Sequence, residues 1–187
     1  MRKRLFTPLG LNDTYCDTDE IFPQDQLARA YMHVEENSGQ WDVGDAGEPI
    51  DGVWDATDWF PLSGAGAAGD MVSTARDLTH WIDCLFSGKV LGQKAFDEMA
   101  NNLQPASFPG SYLIQNGHGI LVSDTDGLIV KGHLGQIPGH ATAMGTMKKA
   151  ASAPRSSRTP PPVTSNHSTS TVFMNPLPGY FAWPQRS

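Results

Sequence analysis

The segment Lys131-Gly132-His133-Leu134-Gly135-Gln136-Ile137-Pro138-Gly139-His140 holds the densest set of groups in this chain that could do chemistry. Glycines at 132, 135 and 139 carry no Cβ, so the backbone there can come close to a ligand or to another strand. His133 stands beside two of them, at the end of an expected edge strand. The backbone N–H of Gln136, just past Gly135, is placed to face a developing oxyanion, the device by which acyl-transfer sites hold a tetrahedral intermediate. That is chemistry at a carbonyl. Read by itself, His133 fits either a structural imidazole or a catalytic one.

Other motifs carry less. Gly64-Ala65-Gly66-Ala67-Ala68-Gly69 matches GxGxxG, but a dinucleotide site needs a buried strand before it and a helix opening from it. Pro61 spoils such a strand, and the next helix starts several residues late, so the reading is a close-packed turn. Asp124-Thr125-Asp126-Gly127 resembles part of a calcium loop without the terminal Glu or the flanking helices, and reads as a hairpin turn. Asp13, Asp17, Asp19 and Glu20 read as a solvated acidic loop. Cys84 falls near the apolar stripe of a helix and reads as a packed side chain, with no His–Cys–Asn arrangement to make it a nucleophile. No metal and no cofactor is expected.

The elements that must position the glycine-rich segment can be read locally. Ser73 or Thr74 caps a helix whose Ala75, Leu78, Trp81, Ile82, Leu85 and Phe86 recur at three- and four-residue steps until Gly88. Asp77 in its first turn suits the positive end of the dipole. A second helix is expected from about Gln93 to Leu103, and a short third from Gln24 to Val34. Residues 35–70, acidic and glycine-rich with Trp41, Trp54, Trp59 and Phe60, read as a long connection held down by its rings. Gly119–Val122 and Leu128–Val130 are apolar runs around an Asp-Gly turn, which predicts a β-hairpin. Ala141 to Met147 is expected to add a strand. Helices first and antiparallel strands second make an α+β arrangement.

Charge divides the chain. Residues 1–147 hold 8 Lys/Arg against 20 Asp/Glu, whereas residues 148–187 hold 5 Lys/Arg and no acid. An acidic body argues against nucleic-acid binding as the main function. Of the last 40 residues, 18 are Ser, Thr or Pro, too few apolar groups to offset the entropy of ordering, so 148–187 is expected to be a disordered tail behind a 1–147 domain. Val172 to Trp183 has the apolar side chains to dock on the body. No apolar run reaches the roughly 18 residues of a membrane helix. Met1-Arg2-Lys3-Arg4-Leu5-Phe6 starts like a leader but meets Pro8, Gly10, Asn12 and Asp13 before any apolar core, so it is not read as a signal peptide. Cys16 and Cys84 are too few for a disulfide framework.

Four segments, in order, resemble the β-lactamase-type serine hydrolases, the group of class C β-lactamases, D-Ala-D-Ala carboxypeptidases, D-aminopeptidases and related esterases. Pro8-Leu9-Gly10-Leu11-Asn12-Asp13-Thr14 is similar to that family's "PLGM-x-x-T", and Ala67–Leu78 to its "AGG-x-x-ST-x-x-DL" helix entry. Asn116–Ile120 resembles its "YGLGW" strand, and Gly132–His140 its "GH-x-G-x-x-PGF". The resemblance covers about residues 3–147 and implies an incomplete β-lactamase/transpeptidase-like fold. It implies that His133-Leu134-Gly135 is the family's His-x-Gly strand triad. His133 would polarise the site and orient the substrate, Gln136 would give one half of the oxyanion hole, and Leu134 and Gly135 would line the substrate. Leu134 replaces the hydroxyl residue that usually receives a substrate carboxylate, so the implied substrate is a small ester, a neutral amide or a peptide.

The family's nucleophile is the Ser of Ser-x-x-Lys, assisted by Tyr-x-Asn or Tyr-x-Ser. No serine here has Lys three residues on. Ser73 and Ser152 are followed by Arg76 and Arg155, and arginine cannot give up its proton to act as a base. None of Tyr15, Tyr31, Tyr112 or Tyr180 has Asn or Ser two residues on. The resemblance places both motifs upstream of Leu5, so the chain reads as a C-terminal part, inactive alone. The alternatives are a binding module that pairs with an N-terminal half carrying the nucleophile, and a non-functional truncation product. The composition break near 148 also fits a shifted reading frame, a hypothesis that fails if neither other frame of the coding sequence continues an apolar strand there.

Overall fold

A computed structural model describes residues 1–16, 20–33, 48–57, 62–106, 114–125, 127–149 and 169–175. The chain forms two compact units: Met1–Asp13, Ser73–Leu134 and Ala143–Phe173 make the first, and Thr14–Val72, Gly135–Thr142 and Met174–Ser187 the second. The mixture of helix and antiparallel strand is the α+β arrangement expected from the sequence.

In the first unit a π-helical turn over Arg2–Phe6 runs into α1 (Thr7–Leu9). Helix α2 (Ala75–Phe86) starts where the sequence predicts, because the Thr74 side chain accepts a hydrogen bond from the Asp77 N–H at 3.2 Å. Helix α3 (Gln93–Asn101) follows and ends two residues earlier than Leu103. Phe86 and Phe96 meet edge to face with ring centroids 5.3 Å apart, which ties the two helices together. Against them lie Ile120, Val122 and Ile129, joined with Leu85 in one buried cluster that Trp81, Met99 and Leu103 flank.

The strands are β1 (Tyr15–Cys16), β2 (Tyr31–His33), β3 (Val53–Asp55), β4 (Met71–Val72), β5 (Gln104–Pro105), β6 (Ile114–Asn116), β7 (Leu121–Thr125), β8 (Leu128–Ile137), β9 (His140–Lys149) and β10 (Thr169–Asn175). The last six form one sheet in the order β10-β9-β8-β7-β6-β5. The predicted Asp-Gly hairpin joins β7 to β8, and the Gly127 N–H closes it on the Asp124 carboxylate at 2.9 Å. Strands β8 and β9 run ten residues each, longer than the apolar runs that announced them.

The segment expected to be disordered from residue 148 supplies the end of β9 and all of β10. Thr169-Ser170-Thr171-Val172-Phe173 is rich in the β-branched and aromatic types that strands favour, and an open sheet edge gives them a ladder. Residues 150–168 and 176–187 lie outside the described residues.

The second unit departs further from expectation. Gln24–Val34 is no helix: a single 3₁₀ turn covers Gln24–Gln26, and Tyr31–His33 is extended and antiparallel to Val53–Asp55. The strand wins because alternation buries Met32 between exposed Tyr31 and His33, and Met32 packs with Ala30 and Ala56. So the stretch expected to be one long connection holds β3, with residues 34–47 and 58–61 outside the described residues. Gly64–Gly69 lies in and just after 3₁₀ turns over Leu62–Ala68, broken at Gly66 with φ 51°, and leads into β4 rather than a helix. It is a turn, as the sequence suggested, but not a close-packed one: a Cβ on Gly66 would meet no described atom within 4 Å, and only Gly69 is tight, against Ala65 at 3.2 Å.

Candidate functional site

His133, Leu134, Gly135 and Gln136 lie in the second half of β8, which is an interior strand of the six and not the expected edge strand, because β9 continues the sheet beyond it. The ladder to β7 ends at Leu121↔Gly132, yet β8 continues to Ile137. His133–Ile137 therefore runs past the end of β7, with β9 as its ladder partner on the other side. The turn beyond is two residues long, Pro138-Gly139, and such a turn is closed by a hydrogen-bonded pair, here Ile137 and His140. Main-chain groups alternate in direction along a strand. Those of Ile137, Gly135 and His133 thus turn toward β9, and those of Gln136 and Leu134 toward the other side. The Gln136 N–H, the expected oxyanion donor, turns to the same side as the main chain of Leu134, away from β9.

The three glycines do different work. A Cβ on Gly132 would stand 1.9 Å from the Met144 carbonyl oxygen and 2.6 Å from the Gly145 Cα. Gly132 and Gly145 thus permit the close crossing of β8 and β9. Gly139 has φ 69°, and a Cβ there would meet Ala30 and Tyr31 at 2.7 Å. Gly135 has neither constraint: its φ is ordinary, and no described atom lies within 4 Å of where its Cβ would stand. Its glycine serves no packing need and leaves room along the strand.

His133 is exposed, and its Nδ1 lies 2.6 Å from the Leu134 carbonyl oxygen. A carbonyl only accepts, so Nδ1 is the donor in this contact. Leu134 is 40% exposed. Lys131, two residues upstream, is engaged by the scaffold. Its ammonium lies 3.4 Å from the Ala100 carbonyl and 3.3 Å from the Asn101 side-chain oxygen, at the negative end of α3. Burial pulls its pKa below the ordinary lysine value, opposed by the Asp97 carboxylate. His140, across the turn, is half-buried, and burial pulls its pKa below the ordinary imidazole value.

The remaining candidates are structural. Cys84 is 1% exposed, as the stripe of α2 predicts. Cys16 is also buried and lies 3.3 Å from an Asp70 oxygen. Of the acidic loop, Asp17 and Asp19 lie outside the described residues, Glu20 accepts from the Cys16 N–H at 3.1 Å, and the Asp13 N–H donates to Asp77. Among the described residues no group of three or more His, Cys, Asp or Glu is arranged to hold a metal ion, and no helix is long and apolar enough to cross a membrane. Sequence reasoning missed the residues behind the Pro138-Gly139 turn, Ala30, Asp55 and Thr57. Their one local signal is the Asp55-x-Thr57 spacing of a side-chain-closed turn.

A helix-backed antiparallel sheet with a glycine-opened His-x-Gly strand is the pattern of the β-lactamase/transpeptidase fold. The Beta-lactamase family model matches residues 1–162, and the chain belongs to that family. No curated protein matches it. Among solved structures it is similar to the D-amino acid amidase from Ochrobactrum anthropi SV3. In the complex with L-phenylalanine amide the identity is 55% and the TM-score 0.72, over 78% of this chain and 40% of that one. In the complex with D-phenylalanine the identity is 52% and the TM-score 0.73, over 80% and 42%. A D-stereospecific amidohydrolase from Streptomyces sp. is similar at 26% identity and TM-score 0.57, over 79% and 38%. The chain thus spans about two fifths of the length of these structures.

Proposed function

We propose that this chain is the substrate-side part of a serine hydrolase that cleaves small amides or esters, with amides of D-amino acids as the favoured class. The carrying observation is the overhang of β8. The Gln136 N–H and the main chain of Leu134 turn away from β9 beyond the last β7–β8 pair, and among the described residues no atom lies within 4 Å of where a Gly135 Cβ would stand. An extended amide laid along that side of β8 would bond to the main chain of Leu134 and bring its carbonyl oxygen to the Gln136 N–H. His133 would orient the substrate or polarise the site. Leu134, exposed and apolar, would meet the substrate side chain and offers nothing to a carboxylate. The D-amino acid preference is supported by the likeness to the amidase and the amidohydrolase.

The chain supplies no Ser-x-x-Lys and no Tyr-x-Asn, so on this reading it does not form an acyl-enzyme alone. The purified chain is expected to leave nitrocefin, p-nitrophenyl esters and D-phenylalanine amide intact. Labelling of any of its residues by a fluorescent phosphonate, located by mass spectrometry, would overturn this.

A complementing chain that carries the nucleophile is the second reading. The observation that favours it is the exposure of two large aliphatic side chains among the described residues, Ile21 at 99% and Ile50 at 80%. Co-expression with a chain bearing Ser-x-x-Lys and Tyr-x-Asn should restore phosphonate labelling on that partner. Failure to co-purify would sink the pairing and leave a truncation product.

A further inference from the structure

The Pro138-Gly139 turn is backed by a hydrogen-bond relay within the second unit. Arg29 pairs with the Asp55 carboxylate. The other carboxylate oxygen accepts from the Thr57 hydroxyl at 2.5 Å and from the Thr57 N–H at 3.1 Å. The same Thr57 oxygen accepts the Ala30 N–H at 3.0 Å, and the Ala56 N–H closes on the Ala30 carbonyl at 2.8 Å. Ala30 is fully buried, so its N–H has no water to turn to if Thr57 Oγ is lost. Gly139 rests on the backbone of Ala30 and Tyr31, close enough that a Cβ would not fit.

We propose that Thr57 and Asp55 are positioning residues: through Ala30 they fix the Pro138-Gly139 turn, and through the turn the direction of the Gln136 N–H three residues before Gly139. Its functional meaning rests on the oxyanion reading above, but position can be measured without substrate. The Thr57 hydroxyl is the joint, since it donates to Asp55 while accepting from Ala30. The pair is also held from outside, because hydrogen bonds from Thr57 and Arg29 keep the Asp55 carboxylate well below its ordinary pKa, at about 2. An ionised Asp55 can only accept, which fixes the Thr57 hydroxyl as its donor.

The test is amide hydrogen exchange of the full chain with Thr57→Val, which keeps shape and removes the oxygen, and Thr57→Ser, which restores it. Exchange at Gly135 and Ile137, whose N–H groups turn toward β9, should rise about tenfold or more in Thr57→Val, return to within about twofold of the parent in Thr57→Ser, and stay unchanged in α2; tenfold corresponds to about 1.4 kcal/mol of opening free energy. The His140 ring gives a second readout: its depressed pKa should move toward the ordinary value in Thr57→Val as the turn loosens. Faster exchange at Ala30 with Gly135 and Ile137 unmoved would overturn the proposal, as would a uniform rise that includes α2. If the amides respond as expected and the complemented enzyme shows no loss in kcat, the relay stands and the oxyanion role of Gln136 falls.

Discussion

The Asp13 N–H donates to the Asp77 carboxylate at 2.9 Å across 64 residues of sequence. This bond joins the segment after α1 to the first turn of α2, two stretches that sequence reading finds separately. Asp77 is 5% exposed and sits where the helix dipole favours a negative charge, so it steadies α2 and receives the incoming chain at once.

Replacing that carboxylate tests the joint. Asp77→Ala strands the Asp13 N–H and removes the dipole partner, and is expected to cost about 1–3 kcal/mol, read as a lower urea midpoint with unchanged slope. Asp77→Asn keeps an acceptor and should lose less than half as much. Equal losses would mean that charge rather than the Asp13 bond carries the stabilisation.

One substitution, made three residues apart, should change sign. Gly132→Ala puts a methyl group 1.9 Å from the Met144 oxygen, where only backbone could move, and is expected to cost about 3 kcal/mol or more. Gly135→Ala meets no described atom and relieves the flexibility of glycine in a strand, so it should stabilise by about 0.5–1 kcal/mol. In the complemented enzyme the same Gly135→Ala should weaken turnover by occupying the space beside the edge. Thermal melts of the two variants side by side decide the stability part.

Lys131 is expected to tolerate loss of charge but not reversal. Its ammonium faces the carbonyl end of α3 and is also half-buried, so Lys131→Met trades a dipole contact against a desolvation cost and should stay within about 0.5 kcal/mol of the parent. Lys131→Glu sets a carboxylate against the same carbonyls and should destabilise by at least about 1 kcal/mol. Denaturant titration at neutral pH measures both.

His140 makes the fold sensitive to acid. Burial lowers its folded pKa beneath the unfolded value of about 6.5, so the unfolded chain binds the proton first. Its contribution is complete above that value and is lost as pH falls through the depressed folded pKa. His140→Gln should flatten the stability profile between about pH 7 and pH 5. A profile as steep as the parent's would assign the acid sensitivity to another group.

Local rules carried the capped helix α2, the Asp-Gly hairpin and the order of motifs that marks the family, because each rests on neighbours within a few residues: a threonine oxygen over a free N–H, an alternation broken by a turn, a glycine where a strand ends. Tertiary structure alone decided what those rules leave open. Tyr31–His33 became a strand because Val53–Asp55 offered it a ladder, and Thr169–Asn175 did so beside β9. Gly132, Gly135 and Gly139 look alike in sequence, yet two are forced by backbone lying on them and one is free. The same holds for the candidate site. That β8 runs five residues past its last pair with β7 depends on where two strands of unequal length stop pairing, and no residue's own type encodes that.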